Sequence, residues 1–187
     1  MNALIPLLAE ASPADNWIDG VNLGLLLIRV TLGVTLAAHG YNKFFAGGRI
    51  PGTAGWFDSM GMKPNGKVHA ILAASTEVGA GILFALGLLT PLAAAGFVGL
   101  MVVAAWTVHR SSGFFIVKGG WEYNLVLAVV PVGVALIGPG EHSLDWALGL
   151  DFAFNPTLSF VISAGLGLAG GIGLLAACYR PPTTDKA

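Results

Sequence analysis

Charged side chains make up only 10% of this 187-residue sequence, nine Lys or Arg against ten Asp or Glu, where a soluble domain carries roughly 25%. That scarcity, with 55% hydrophobic residues and a mean hydropathy of +0.77, excludes a water-soluble fold and requires lipid as solvent. The formal net charge of −1 supplies no basic patch for a phosphate backbone, so nucleic acid is not an expected partner. One cysteine, Cys178, allows no internal disulfide, no CxxC relay and no thiolate metal cluster within the chain. The chain also lacks a GxxxxGK phosphate loop, a GxGxxG turn after a strand, and a Ser-His-Asp set of the soluble type. Met1 to Leu8 has neither a basic n-region nor enough apolar length for a cleaved signal peptide. What is abundant is glycine, 27 residues, about twice the usual share of roughly 7%. In lipid, where small residues let helix backbones approach, this composition points to closely packed helices.

A spanning helix needs about 20 apolar residues to cross a hydrocarbon layer of roughly 30 Å. Five segments qualify, approximately 21–43, 68–89, 91–109, 122–138 and 158–179, and they make the chain a single membrane domain, 1–187, with no soluble domain. The fold class is an all-α integral membrane protein. The fourth span is short and holds Pro131, which removes a backbone donor. Thr90 and Pro91 form a tight stop and restart, with Thr90 suited to the N-cap and Pro91 to the first helical position. The longest polar connection, Ala46 to Lys67, carries Trp56, Phe57, Met60 and Met62, which fit either a short surface helix or a loop folded over the bundle. In the last span Ser163, Gly167 and Gly171, and separately Ala169, Gly173 and Ala177, make two small-residue faces for packing within the chain or against a partner.

The cations sort by side. Lys43, Arg49, Lys63, Lys67, Arg110, Lys118, Arg180 and Lys186 fall on one side of the five spans and none on the other. By the positive-inside rule the N-terminus is outside and the C-terminus cytoplasmic. Glu10, Asp15, Asp19, Glu141, Asp145 and Asp151 fall on the outer side. Trp17 and Trp146 suit the outer interface, and Tyr41, Trp106, Trp121, Tyr123 and Tyr179 the inner one, unless they merely fill packing gaps.

Two charges lie in mid-membrane. Arg29 shares a helical stripe with Gly33, Leu36, Gly40 and Lys43, and Glu77 shares one with Ala73, Gly81 and Phe84. An unpaired guanidinium there costs about 2.5 kcal/mol or more. Counted from the span ends, Arg29 and Glu77 differ in depth by about 5 Å on antiparallel neighbours, so the sequence predicts that they pair. The pair is either purely structural or borders a cavity in which Glu77 exchanges protons with a quinone or another carrier. His39, His69 and His109 gather at the inner ends of three spans, with His142 outside. The absence of paired in-span histidines disfavours haem, and neither an HxxxH nor a His-carboxylate spacing supports a metal site, although Glu122 stands near the inner group. Glu122 and Asn124 more simply cap the inner end of the fourth span.

Four pieces of sequence in order resemble the DoxX family of small bacterial membrane proteins. They are RVTLGVTLAAHGYNKFF, with Arg29, His39, Gly40 and Lys43; GTAGWFDSMGM; STEVGAGILFALGLLTPLAA, with Glu77, Gly81, Gly87 and Thr90; and WEYNLVLAVV followed by GPGEHSLDW, with Glu122, Gly138, Gly140, Ser143 and Asp145. The resemblance covers about Gly24 to Trp146. It implies a four-helix membrane bundle, to which the fifth, C-terminal span is an addition and a candidate docking surface. The family is similar to the membrane subunit of thiosulfate:quinone oxidoreductase, and its actinobacterial members are associated with membrane oxidoreductase complexes and oxidative-stress defence.

The resemblance therefore implies a bacterial plasma-membrane subunit of a redox or respiratory complex, accessory or quinone-contacting, with other membrane subunits and the bilayer as partners. Its candidate quinone contacts are Arg29, His39, Lys43, Glu77 and Glu122. No covalently bound cofactor and no metal is expected; quinone is the ligand implied, and haem is disfavoured. Because no secure ligand set for haem, iron-sulfur or flavin is present, electrons would come from a partner. Two other classes stay open, an independent quinone-linked oxidoreductase and a small transporter of a lipophilic molecule. No inverted repeat supports the transporter.

Overall fold

The computed structural model describes residues 12–182. Met1 to Leu8, Glu10 and Lys186 lie outside them, as does the side chain of Asp151.

Helix α1, Pro13–Phe45, starts eight residues before the expected Val21, because Ser12 and Asp15 form a reciprocal capping box and Pro13 occupies the first turn. Ser12 Oγ accepts from Asp15 N at 3.2 Å and Asp15 Oδ2 from Ser12 N at 3.1 Å. Its buried residues, Asn22, Leu25, Arg29, Gly33, Leu36 and Gly40, recur every three or four positions. That stripe packs on α3, Gly66–Leu86, as the stripe analysis expects.

Gly33 and Gly81 make the contact possible. A Cβ on Gly33 would stand 2.4 Å from Gly81 O, and one on Gly81 2.5 Å from Gly33 O. Further along, a Cβ on Gly40 would meet Ala74 O and Glu77 Cβ. These two contact points fix the antiparallel register, with Glu77 level with Gly40.

Helix α4, Thr90–Ser112, is the centre of the molecule and touches α3, α5 (Glu122–Ile137) and α7 (Pro156–Cys178). It buries Ala93, Ala94, Ala95, Phe97, Val98 and Met101, the all-round apolar surface of a helix enclosed by others. Thr90 is its first residue rather than its cap. Leu89 takes the cap position in a left-handed conformation (φ 50°), without a side-chain bond of its own. Both α4 and α7 widen to π turns, at Ala105–His109 and Val161–Leu166.

The last long helix, α7, is an integral member of the bundle. Ser163, Gly167 and Gly171 are buried, and a Cβ on Gly167 would stand 2.6 Å from Val98 Cβ. The second small-residue face, Ala169, Gly173 and Ala177, is exposed.

The long connection does both things the sequence allows. It forms helix α2, Arg49–Ser59, and folds over the bundle end, burying Phe57 and Met62 against Ala70 with Leu174, Cys178 and Tyr179 alongside. A backbone clasp holds it there. Lys63 N donates to Cys178 O at 2.8 Å and Arg180 N to Gly61 O at 2.9 Å.

Four helices are long and apolar enough to cross a membrane, and the sixteen-residue α5 is a shorter fifth. At about 1.5 Å per residue α5 is about 24 Å long. The segment after it, Gly138–Trp146, turns inward, burying Pro139, Ser143 and Asp145 and forming the short helix α6, Leu144–Ala147.

Candidate functional site

The mid-membrane charges occupy two separate places. The expected pairing of Arg29 with Glu77 is not formed. Arg29 is eleven residues from Gly40 along α1, about 16 Å at 1.5 Å per residue, while Glu77 is level with Gly40. Side-chain direction works against the pair as well. Helical side chains lean toward their own N-terminus, so on antiparallel helices Arg29 leans away from Glu77, toward the end carrying Asp15 and Glu141.

There Arg29, fully buried, donates from Nη2 to His142 O. Gly87 (φ 62°) lies beside it, and a Cβ at that position would overlap the guanidinium. The fully buried Asp145 carboxylate accepts from Leu89 N at 2.7 Å, Thr90 N at 2.9 Å and Thr90 Oγ1 at 2.6 Å. It thus caps α4 from another segment, the role the sequence assigns to Thr90. Asp145 N donates to Gly87 O at 2.8 Å, and Glu141 N to Asn22 Oδ1 at 3.0 Å. Arg29, Gly87, Thr90 and Asp145, four of the motif residues, therefore converge on one fastening. Irregular backbone at this depth is tolerable because protein covers it and supplies its partners.

At the opposite end, which carries most of the cations, Lys43 Nζ contacts Glu77 Oε1 at 2.7 Å and Oε2 at 2.6 Å. The same leaning explains it. Lys43, near the end of α1, leans back into the bundle, and Glu77 on antiparallel α3 leans toward it. The signal is present in the sequence, since Lys43 lies on the Arg29 stripe.

The pair borders an apolar cavity of about 460 Å³ between α3, α4 and α7. Gly167, Gly170 and Gly171 thin its α7 wall, and Trp56, Phe57 and Met60 cover it from the α2 side. His69 also lines it, four-hundredths exposed, with Nε2 2.7 Å from Lys63 O. Lys43 has three N–H donors and spends two on the Glu77 oxygens, leaving one for a ligand. A mostly apolar chamber with a few polar groups at one point is how proteins hold small lipophilic molecules.

The remaining candidates are scattered. His39 is exposed one turn before Lys43 and does not line the cavity. Glu122 does not line the cavity; its Oε2 accepts from Ile116 N at 2.9 Å. Asn124, expected to cap α5 with Glu122, is instead buried and directs Nδ2 to Met101 Sδ at 3.5 Å. His109 Nδ1 is 2.7 Å from Gly119 O, and His142 is exposed at the far end, so of the four histidines only His69 lines the chamber. Among the described residues no three of His, Cys, Asp or Glu are grouped to hold a metal ion.

Four helices long and apolar enough to cross a membrane, with the shorter apolar α5 beside them, define a multi-pass, all-α membrane protein. The DoxX family model matches residues 24–110, a range that includes Arg29, His39, Lys43, His69 and Glu77. A Bacillus subtilis (strain 168) protein named "Putative oxidoreductase CatD" is 30% identical over 123 residues, 66% of this chain and 85% of that one. The chain belongs to the DoxX family. No solved structure matches it at a significant level.

Proposed function

We propose that this DoxX protein is a quinone-contacting subunit of a membrane redox complex, and that the Lys43–Glu77 pair marks the ring end of its ligand. The observation that carries the reading is an ion pair set in the wall of an otherwise apolar cavity. Apolar walls accept a quinone ring and tail from the bilayer. The spare Lys43 N–H donates to a ring carbonyl, and Glu77, held beside it, exchanges protons with the ring oxygen. Reduction of a quinone to a quinol takes two electrons and two protons. The protons reach the chamber through Glu77. The electrons come from a partner, because a single cysteine and dispersed histidines give the chain no ligand set of its own. The relative's name supports a redox setting. The positive-inside rule directs the end bearing Lys43, Arg49, Lys63, Lys67, Arg110, Lys118 and Arg180 to the cytoplasm.

Isolation of the chain from its native membrane in mild detergent tests the reading. A redox subunit should copurify in fixed stoichiometry, and the organic extract should contain quinone that is depleted in Glu77→Gln and Lys43→Met. A chain recovered alone, with no quinone in its extract, refutes it. A purified, reconstituted chain that reduces quinone from an added donor would make it an independent enzyme instead.

A further inference from the structure

The cavity has a side opening for which the ion pair does not account. Helices α3 and α7 both pack on α4 and hardly touch each other, so the α4 stripe between them, Leu92, Gly96, Leu100, Val103 and Thr107, is a floor covered only in part. Leu72 on the α3 rim is 49% exposed and Leu166 on the α7 rim 54%, although both line the cavity, and Gly170, one turn beyond Leu166, is exposed as well. Close contacts set the register. A Cβ on Gly96 would stand 2.8 Å from Ala80 Cβ and 3.6 Å from Thr76 Cγ2, one on Gly167 2.6 Å from Val98 Cβ, and one on Gly171 3.0 Å from Val102 Cβ. Counted from these points at equal rise, Leu72 and Gly170 stand across the floor from each other, both near the level of Met101. Gly167 and Gly171 are needed for the packing of α7 on α4. Gly170 is not, since a Cβ there would meet nothing within 4 Å. Packing therefore gives no reason for so poor a helix former at this position, whereas an open mouth does.

The size of the opening selects its occupant. A partner helix about 10 Å across, laid along the floor from Leu92 to Val108, about 24 Å, would need about 1,900 Å³, and the cavity holds about 460 Å³. That volume suits a ring with the first part of a chain; the rest of a bilayer-length chain has to leave through the side. We propose that the ligand is a long-tailed quinone whose ring lies inside at Lys43 and Glu77 and whose tail passes into the bilayer between Leu72 and Gly170, with Gly170 as the specificity-determining residue that leaves the tail its room. This rests on the quinone-site reading, and it adds a residue outside the ion pair that discriminates between tailed and tailless forms.

The test titrates the full chain in detergent micelles with 2,3-dimethyl-1,4-naphthoquinone and, separately, with 2-methyl-3-farnesyl-1,4-naphthoquinone, and native mass spectrometry reads the bound fraction. Each variant is compared with the native chain on the same ligand, so partition into micelles cancels. Gly170→Phe should bind the dimethyl ligand within about twofold of the native chain and the farnesyl ligand about tenfold or more weaker, what two buried methylene groups are worth. Gly170→Leu, a smaller obstruction, should show the same pattern at about threefold. Leu72→Ala added to Gly170→Phe cuts back the opposite rim and should restore farnesyl binding to within about threefold, which a merely structural defect would not allow. Circular dichroism checks that each variant is folded. Unchanged farnesyl binding in the folded Gly170 variants, equal weakening of both ligands, or no recovery with Leu72→Ala overturns the inference and leaves the quinone site standing. So does a phospholipid adduct that disappears in Gly170→Phe while quinone binding is unchanged, because the mouth then holds a lipid chain. Failure of both ligands to bind the native chain overturns both readings.

Discussion

Removing either member of the Lys43–Glu77 pair strands the other charge against an apolar wall, and the loss follows from the geometry. Nζ lies 2.7 and 2.6 Å from the two carboxylate oxygens, and the side chains are 19% and 11% exposed. Breaking a fully buried pair costs about 3–5 kcal/mol, whereas a surface pair is worth about 0–1 kcal/mol. Partial exposure places this one between. Lys43→Met and Glu77→Gln should each destabilise the chain by about 2–3 kcal/mol, and the double variant by about the same rather than the sum. The coupling is then about 2–3 kcal/mol. Arg29→Met is the control: Arg29 and Glu77 are about 16 Å apart in level along α1, so Arg29→Met with Glu77→Gln should be additive within about 0.5 kcal/mol. Unfolding in mixed micelles by increasing SDS, followed by circular dichroism, gives all five variants on one scale. Coupling between Arg29 and Glu77 as large as that between Lys43 and Glu77, or no coupling in the latter, would refute the register argued here.

Asp145→Asn keeps the shape of the α4 cap but weakens three charge-assisted bonds; it should lower stability by about 2–4 kcal/mol in the same micelle titration. Gly171→Leu, which would drive a side chain into Gly99 and Val102, should lower folded yield sharply. Gly173→Leu, with open space around the Cβ, should leave yield within about 20% of the parent by size-exclusion chromatography. In a Cys178→Ala background, a single cysteine replacing the exposed Glu141 should react with an impermeant maleimide on intact cells, and one replacing the exposed Lys63 only after permeabilisation. Labelling of both from one side would overturn the five-span topology.

The long helices were legible because each is an apolar run of spanning length, and the stripe on α1 and one of the two small-residue stripes on the last helix, Ser163, Gly167 and Gly171, are packing faces. Boundaries were less so. The start of α1 is set by Ser12 and Asp15, a local signal that hydropathy does not register. Depth failed for a different reason: it was counted from the ends of apolar runs, while the real level of Glu77 is fixed by backbone contact at Gly33 with Gly81 and at Gly40 with Ala74. The direction in which helical side chains lean, available from the sequence once neighbours are known to be antiparallel, selects Lys43 over Arg29 as the partner. The cap on α4 was beyond sequence reading, since Asp145 is 55 residues from the Thr90 it holds. His69 was legible only as an interfacial histidine, because its place in the chamber depends on how α2 folds back.

The clasp between Gly61–Lys63 and Cys178–Arg180 joins the first connection of the chain to the far end of its last helix. During synthesis the cavity therefore stays open on one side until Cys178–Arg180 has been made: before that the α7 wall is missing and the α2 cover has nothing to latch onto.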